Sequence, residues 1–451
     1  MDKTVEKMSR YAAALQYSDI TPAALHAAKR SLIDSVGCAM GALEAAPVKL
    51  TRRLASRTQS STPASVFGSS IKTSPEMAAF VNGVMLRYLD FSDDYINHDG
   101  PHPSDTIPAV MAACESAKAG GKALARGIVL AYEMVDRLVD SANFKSTGWD
   151  YVTETSIGSA MGAGSVFGLS KGPMAHALAL AIAPNIALRQ TRANTELTMW
   201  KGCAGPNAAR NGLFAALLAS EGMEGPNQII EGRHGLWNKV TGHFELDAFG
   251  GQGRPFKIEE TFIKSLPVQY PCIVAVEAAM ALHQEVDLQD IHAVRIWFDQ
   301  FAHTSTGGPE KYDPHTRETA DHSAPYLVLA TLLDGAISDS SFEPKRFRDP
   351  KILALLKNVV MEEDAAFTRE WPGTFQCRIE VTGKSGRKWV RHQKNPKGHP
   401  TNPMSDLEIE AKFIDLAKGS LSDRQIRTFF ELAWHLEELE NVGPLFDAIV
   451  V

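Results

Sequence analysis

Ionisable side chains are concentrated in residues 87–105, which contain five aspartates and two histidines. So many ionisable groups repel one another and resist desolvation, so a fold tolerates them only on an open surface or at a functional site. Aromatic and aliphatic residues alternate with the charges and favour the interior. We therefore predict a site that uses Asp90 and His102. A solvated acidic loop is the alternative.

A metal site is a second interpretation of the same segment, because His98 and His102 are four residues apart and Asp93 and Asp94 are close by. Two histidines at this spacing face one ion when they lie on a helix. The intervening Gly-Pro-His-Pro turn prevents a regular helix. We therefore expect no metal ion here.

A cationic segment follows, with Arg192 and then Lys201 before the glycine-rich start of a predicted helix. Glycine permits close approach of the backbone, and a helix N-terminus together with a lysine favours an anion. This pattern suits the carboxylate of a ligand. The alternative is an ordinary helix-initiating loop with a lysine that extends toward solvent.

Two further clusters contain groups able to bind or transfer protons. Tyr326 opens a predicted helix after His322, so its hydroxyl could donate to a substrate oxygen while the histidine orients it. Lys264 and Gln269 lie near a predicted domain junction, where a lysine could bind an anionic ligand. A core tyrosine and a plain linker are the respective alternatives.

Composition restricts the class of protein. The 451 residues are 44% hydrophobic and 22% charged, with a net charge of -7, so no broad basic field is available for nucleic acid or anionic lipid. Five scattered cysteines lack zinc or iron–sulfur spacing and suit reduced thiols. The N-terminus lacks the apolar run of a signal peptide, and no apolar stretch is long enough to span a bilayer. We expect a cytoplasmic protein.

Hydrophobic periodicity predicts the elements that position these groups. Apolar residues recur at helical spacing through the first half of the chain and again after Pro403, whereas strand-like alternation appears after about Lys264, including a hairpin at residues 375–392. The segment 60–75 is predicted to be a surface loop. We predict a mainly α fold, with a helical domain of residues 1–263 plus 396–451 and an inserted α+β lid domain of residues 264–395. A cleft between them is the expected ligand site.

Several motifs in order resemble the MmgE/PrpD family, which includes 2-methylcitrate dehydratase and cis-aconitate decarboxylase. The resemblance covers nearly the whole chain and rests on Leu32–Cys38, Ser74–Gly83, Leu89–Asp93, His102–Asp105, Lys201 before Ala208–Gly212, Ala275–Ala279 and Gly398–Ser405. It implies a helical domain with a smaller lid, a homodimer, and catalysis without metal or organic cofactor.

By motif position, the resemblance assigns the family's active-site residues to Asp90, His102, Lys201, Lys264 and Tyr326. All five residues are also candidates because of the chemistry of their side chains.

The chain departs from the family pattern at three positions. Asp94 stands where many members have threonine, Tyr151 where many have histidine, and Gln269 at a histidine or glutamate position. These exchanges alter the charge and proton inventory of a pocket, so we expect them to affect the choice of substrate.

The resemblance implies a lyase that dehydrates a small hydroxy di- or tricarboxylic acid such as 2-methylcitrate, a compound of propionate metabolism. His102 is the expected general base or acid, Asp90 its partner, and Tyr326 the proton donor or acceptor at the leaving oxygen. Lys201, Lys264 and Arg192 are expected to neutralise carboxylates. A decarboxylase, an epimerase and a non-catalytic carboxylate-binding protein remain alternatives.

Overall fold

The computed structural model describes residues 2–192 and 196–451, which divide into two units. The first comprises residues up to Arg189, Gly202–Ile263 and Ser405–Val451, and the second comprises the described part of Gln190–Lys201 together with Lys264–Met404. The fold is mainly α, with a large helical unit and a smaller unit that combines a four-stranded sheet with helices, as the sequence predicts.

Helices build the first unit. Numbered along the whole chain, they are α1 Lys3–Ala14, α2 Pro22–Gly41, α3 Ala46–Ala55, α4 Pro75–Arg87, α5 Ile107–Ser116, α6 Gly121–Ser141, α7 Val152–Val166, α8 Lys171–Ile182, α9 Ala204–Ser220, α17 Asp406–Ala417, α18 Asp423–Trp434 and α19 Gly443–Asp447. The C-terminal helix α17 packs against α2, so the end of the chain completes the helical unit.

Caps and small residues explain why these helices form and pack where they do. The Thr21 hydroxyl accepts the Ala24 N–H at 3.0 Å and caps α2 ahead of Pro22. A Cβ atom on Gly212 of α9 would lie 2.3 Å from the Ser156 carbonyl oxygen of α7. The absence of a side chain at Gly212 therefore allows α9 and α7 to pack closely.

The segment 60–75 is only in part the surface loop that the sequence predicts, because residues 61–63 are exposed but residues 64–68 and 73–75 are buried. Strands β1 Ala64–Ser65 and β2 Lys72–Thr73 pair antiparallel there, and residues 64–68 are buried. The Asn82 side chain of α4 accepts the Phe67 N–H and donates to the Ser65 carbonyl, at 2.8 and 2.9 Å. Burial of the apolar Val66 and Phe67, together with these hydrogen bonds, therefore holds this part of the segment inside the unit.

A mixed sheet forms the centre of the second unit. Its strands are β5 Ile291–Phe298, β6 Val359–Glu363, β7 Gln376–Gly383 and β8 Lys388–Lys394, in the order β6-β5-β7-β8, and its helices are α10 Tyr270–His283, α11 Gln300–Thr306, α12 Arg317–Ala320, α13 Ala324–Asp334, α14 Pro344–Phe347, α15 Pro350–Leu356 and α16 Ala365–Glu370. Strands β5 and β6 run parallel, whereas β7 pairs antiparallel with both neighbours. The predicted hairpin is confirmed as β7 and β8.

One predicted helix is too long. The periodicity suggests a helix from Pro350 to Val359, but α15 ends at Leu356 and Val359 begins β6, where it pairs with Val294. A short run with β-branched residues is compatible with either a helix or a strand, and backbone pairing with a neighbouring strand decides between them. Across residues 2–192 and 196–451, no helix combines the length and apolar character needed to cross a bilayer.

Candidate active site

The segment after α4 turns sharply at Asp90. Asp90 has a φ of 50°, in the left-handed region that residues other than glycine rarely adopt. Its N–H donates to the Arg87 carbonyl at 3.2 Å. Three residues later, Asp93–Asp94 forms β3 and pairs antiparallel with β4, Phe262–Ile263. The backbone thus holds Asp90 and Asp94 in fixed positions within the first unit.

His102 is buried and its ring orientation is set by the backbone. Its Nδ1 lies 2.6 Å from the Asp93 carbonyl oxygen. A carbonyl oxygen only accepts hydrogen bonds, so Nδ1 must carry a proton, and in the neutral ring Nε2 keeps its lone pair. Nε2 lies 3.9 Å from Asp90 Oδ1, and Nδ1 lies 3.8 Å from Asp94 Oδ2. Nε2 is therefore the ring nitrogen on the side of the Asp90 carboxylate.

Tyr151 completes this group. It precedes α7, is buried, and meets the His102 ring edge-on with ring centroids 6.2 Å apart. It packs with Ala204 and Ala208 of α9. The first unit therefore brings Tyr151 together with Asp90, Asp94 and His102, which all come from residues 87–105.

Sequence reasoning missed Arg87 and Asp105, which lie beneath this group. Arg87 is 1% exposed and Asp105 is fully buried. Arg87 Nη1 lies 3.1 Å from Asp90 Oδ1, and its Nε lies 3.1 Å from Asp105 Oδ1. Burial disfavours the charged guanidinium, but Asp105 and Asp90 outweigh it and raise the pKa of Arg87. The Arg-x-x-Asp spacing at the end of a helix was an available signal.

The start of α9 faces a carboxylate of the protein itself. The sequence suggests that this glycine-rich helix start suits a ligand's carboxylate, yet a Cβ atom on Gly205 would lie 2.0 Å from Asp105 Oδ2. Glycine is required here because the Asp105 carboxylate lies against the first turn of α9. The anion at this turn is thus Asp105, which pairs with Arg87.

Asp93 supports the site through both its main chain and its side chain. Its Oδ1 accepts the Ser104 N–H at 3.0 Å and its Oδ2 accepts the Tyr132 hydroxyl at 2.6 Å. Burial is the largest influence on this carboxyl and, despite the two donors, raises its pKa to about 6. Asp93 thus connects the segment that carries His102 to α6.

Further hydrogen bonds hold residues 95–99 in place. The Tyr95 hydroxyl and the Asn97 amide both donate to Asp140 Oδ1, at 2.8 and 2.9 Å, and Lys257 Nζ lies 2.9 Å from the other Asp140 oxygen. Arg189 Nη1 lies 3.1 Å from Asp99 Oδ2. These contacts restrain the outer part of the acidic segment.

Two carboxyl groups near this segment are buried in the helical interior. Asp136 of α6 and Glu154 of α7 are both fully buried. Burial raises the pKa of Asp136 well above its ordinary value, with Asp93 and Asp140 adding to the effect, and it raises that of Glu154 in the same way with help from Asp99. Both groups therefore favour the neutral, protonated form.

The remaining predicted site residues lie in the second unit. Lys264 is fully buried and Lys201 is 4% exposed, in a short turn at Met199–Gly202. Gln269 is partly buried and its N–H donates to the Asp321 carbonyl at 2.9 Å. Arg192 is partly buried at the end of a short turn. The two lysines supply positive charge with little exposure to solvent.

His322 and Tyr326 do not form the pair that the sequence suggests. His322 Nδ1 hydrogen-bonds Asp321 Oδ1, and the Tyr326 hydroxyl donates to the Ser341 carbonyl. Tyr326 is fully buried, and burial raises the pKa of its hydroxyl. The backbone of the following turn, rather than His322, therefore orients this tyrosine.

The fold and the site define a two-unit, mainly α protein with a buried histidine–carboxylate group in one unit and two buried lysines in the other. The MmgE/PrpD N-terminal domain matches residues 6–248, and the MmgE/PrpD C-terminal domain matches residues 267–437. The chain belongs to the MmgE/PrpD family, which confirms the resemblance seen in the sequence.

Relatives of known activity match over most of the chain. A 2-methylcitrate dehydratase of Salmonella typhimurium is 28% identical over 379 residues, covering 79% of this chain and 77% of that protein. The mitochondrial 2-methylcitrate dehydratase of Yarrowia lipolytica is 26% identical over 429 residues, covering 88% and 80%. The cis-aconitate decarboxylase of Mus musculus is 25% identical over 456 residues, covering 96% and 90%.

Proposed function

We propose that this protein is a lyase that dehydrates a small hydroxy di- or tricarboxylic acid such as 2-methylcitrate. The observation that carries the proposal is the buried His102, whose Nδ1 is engaged with the Asp93 carbonyl at 2.6 Å while Nε2 faces Asp90 at 3.9 Å. With Nδ1 fixed as the donor, the neutral form of this imidazole carries its lone pair on Nε2, which is the form that a general base requires. The names of the relatives point to the class of acid.

The reaction removes a proton beside a carboxylate and expels hydroxide from the neighbouring carbon. Such a proton is weakly acidic, so the negative charge that develops must be stabilised by cations already in position. We assign this role to Lys201 and Lys264, with Arg192 as a further carboxylate-binding group. Their burial strengthens the interaction, because little water competes with them.

We assign proton abstraction to His102 Nε2, with Asp90 stabilising the imidazolium that forms. Tyr326 remains a predicted proton donor at the leaving oxygen, but its hydroxyl must first release the Ser341 carbonyl. Breaking this hydrogen bond costs about 1 kcal/mol unless a substrate oxygen accepts from the hydroxyl in place of the Ser341 carbonyl. The proposal therefore rests on Asp90, His102 and Lys201 rather than on Tyr326.

Asp94 and Tyr151 are the groups through which we expect this chain to differ from its relatives. Asp94 Oδ2 lies 3.8 Å from the His102 ring and Tyr151 meets that ring edge-on. A carboxylate here disfavours an anionic group of the substrate at the same point and favours a hydroxyl donor. Together with Gln269 and His322, these residues are our proposed substrate-binding set.

Decarboxylation of a related polycarboxylate is a second candidate. It is favoured by the match to the cis-aconitate decarboxylase of Mus musculus, which extends over 96% of this chain. Loss of CO2 and loss of a proton both pass through a carbanion-like state that the same cations stabilise. The two reactions differ in their products, so product analysis separates them.

The test is a screen of 2-methylcitrate, citrate and cis-aconitate with the purified protein, monitoring alkene absorbance and CO2 release. A gain of alkene without CO2 supports dehydration, and CO2 release supports the second candidate. Incubation in deuterated water reveals proton exchange that precedes turnover. Saturable binding with neither exchange nor turnover would identify a carboxylate-binding protein and contradict the enzyme proposal.

Site variants test the residue assignment. His102→Ala and Lys201→Ala should each lower turnover by at least ~100-fold, the usual scale of general acid–base catalysis. His435→Ala and Lys171→Ala are matched controls, because His435 is exposed and Lys171 forms an exposed ion pair with Glu6. Near-normal rates in both site variants contradict the assignment. Activity that survives a chelator supports the expected independence from metal.

A further inference from the structure

We propose that Arg87 is a positioning residue that fixes the Asp90 carboxylate and the His102 segment relative to each other, an inference that rests on the proposed function of the same site. Arg87 ends α4 and is 1% exposed. Its Nη1 and its Nε each lie 3.1 Å from a different carboxylate, Asp90 and Asp105. The cation therefore joins two separate segments.

The first of these segments is the turn at Asp90. Its left-handed φ of 50° is a strained conformation for a residue other than glycine, and such strain persists only where the surroundings hold the residue in place. Arg87 holds it twice, since its carbonyl accepts the Asp90 N–H and its guanidinium pairs with the Asp90 carboxylate. Both the backbone and the side chain of Asp90 thus depend on the residue three positions earlier.

The second segment carries His102. Asp105 lies in the short turn Pro103–Thr106 directly after the histidine, and its N–H donates to the His102 carbonyl at 3.0 Å. Its carboxylate lies against Gly205 in the first turn of α9. Because one guanidinium contacts both Asp90 and Asp105, it sets the separation of 3.9 Å between Asp90 Oδ1 and His102 Nε2.

Arginine suits this role better than lysine. Two nitrogens of a rigid, planar group each lie 3.1 Å from a different carboxylate, whereas a lysine offers a single nitrogen at the end of a flexible chain. Lysine at position 87 preserves the charge but not the two fixed contacts. The two properties can therefore be separated by substitution.

The experiment compares Arg87→Gln, Arg87→Lys and Asp105→Asn with the wild-type enzyme on its best substrate. A misplaced catalytic group costs on the order of 100-fold in rate, so we expect kcat to fall about that far in Arg87→Gln while KM stays within a few-fold. Arg87→Lys should recover part of kcat. Arg126→Gln is the matched control, because Arg126 is half-buried and donates to the Ser165 carbonyl.

Each outcome decides the question. A folded Arg87→Gln variant with wild-type kcat overturns the proposal, as does a loss that appears in KM alone. If Arg87→Gln does not fold, the isosteric Asp105→Asn variant replaces it, and a wild-type kcat there also overturns the proposal.

A wild-type protein inactive on every acid refutes the proposed function instead. Amide hydrogen exchange then tests the inference without turnover: faster exchange at residues 88–92 and 104–106 in Arg87→Gln or Asp105→Asn, absent in Arg126→Gln, supports it. Unchanged exchange overturns it.

Discussion

Replacing Asp93 with asparagine should remove a pH dependence of stability that the wild-type protein shows between about pH 4 and pH 6. The carboxyl is buried, receives hydrogen bonds from the Ser104 N–H and the Tyr132 hydroxyl, and has its pKa raised to about 6 by burial. Asparagine has nearly the same shape and keeps one acceptor oxygen. It also retains the backbone carbonyl that orients His102, so turnover should change little.

The magnitude follows from the two pKa values. An ordinary aspartate titrates at 3.8, and Asp93 in the folded protein titrates at about 6. At about 1.4 kcal/mol per pKa unit, the difference corresponds to about 3 kcal/mol. Because the folded-state pKa is the higher one, this stability is fully present below about pH 4 and is lost as pH rises through about 6. As pH rises from about 4 to above 6, the free energy of unfolding of the wild type should therefore fall by about 3 kcal/mol relative to that of Asp93→Asn.

The assay is a paired series of thermal and urea unfolding curves for both proteins from pH 4 to pH 7.5. The quantity compared is the difference between variant and wild type at each pH, because a protein of two units need not unfold in one step. Difference infrared spectra of the protonated carboxyl group locate the titration independently. Asp415→Asn is the control, since Asp415 is exposed beside Lys418. A difference that stays constant from pH 4 to pH 7.5 refutes the reasoning.

Two other predictions concern buried groups. Asp136→Asn and Glu154→Gln should melt at the same or a higher temperature than wild type at pH 8 and lose that advantage at pH 4. Burial raises both pKa values, so at higher pH the wild-type acids stay neutral in the folded protein while they ionise in the unfolded chain, which lowers the stability of the wild type. Lower melting temperatures of both variants at pH 8 would argue against neutral acids. Gly205→Ala should destabilise the protein by about 1–3 kcal/mol through its clash with Asp105. Gly172→Ala, with no neighbour within 4 Å, should not, and equal melting temperatures contradict the packing argument.

Local signals in the sequence were sufficient for many elements of the fold. Thr21 and Pro22 predict the start of α2, and the alternation around Gly383–Gly386 predicts the hairpin of β7 and β8, because caps and tight turns depend on a few adjacent residues. Local signals were not sufficient at Val359, because pairing with β5 decides there between helix and strand. They were also not sufficient at residues 64–68, which Asn82 helps to hold in the interior.

The candidate site divides in the same way. Residue types and motif order single out Asp90 and His102, because acid–base chemistry needs these side chains and they lie close together in the chain. The sequence does not show which nitrogen of His102 holds the proton. That depends on the Asp93 carbonyl, whose position is set by the pairing of β3 with β4.

By itself, the sequence determined the family, the mainly α fold and the chemical types available for catalysis, since these depend on composition, periodicity and motif order. Only the tertiary structure showed that Arg87 joins Asp90 to Asp105 and that the Asp105 carboxylate lies against the first turn of α9. It also showed that Tyr326 donates to a backbone carbonyl. The physical reason is that a hydrogen bond or ion pair depends on distances of about 3 Å between atoms. Packing of distant segments, not their order along the chain, sets those distances.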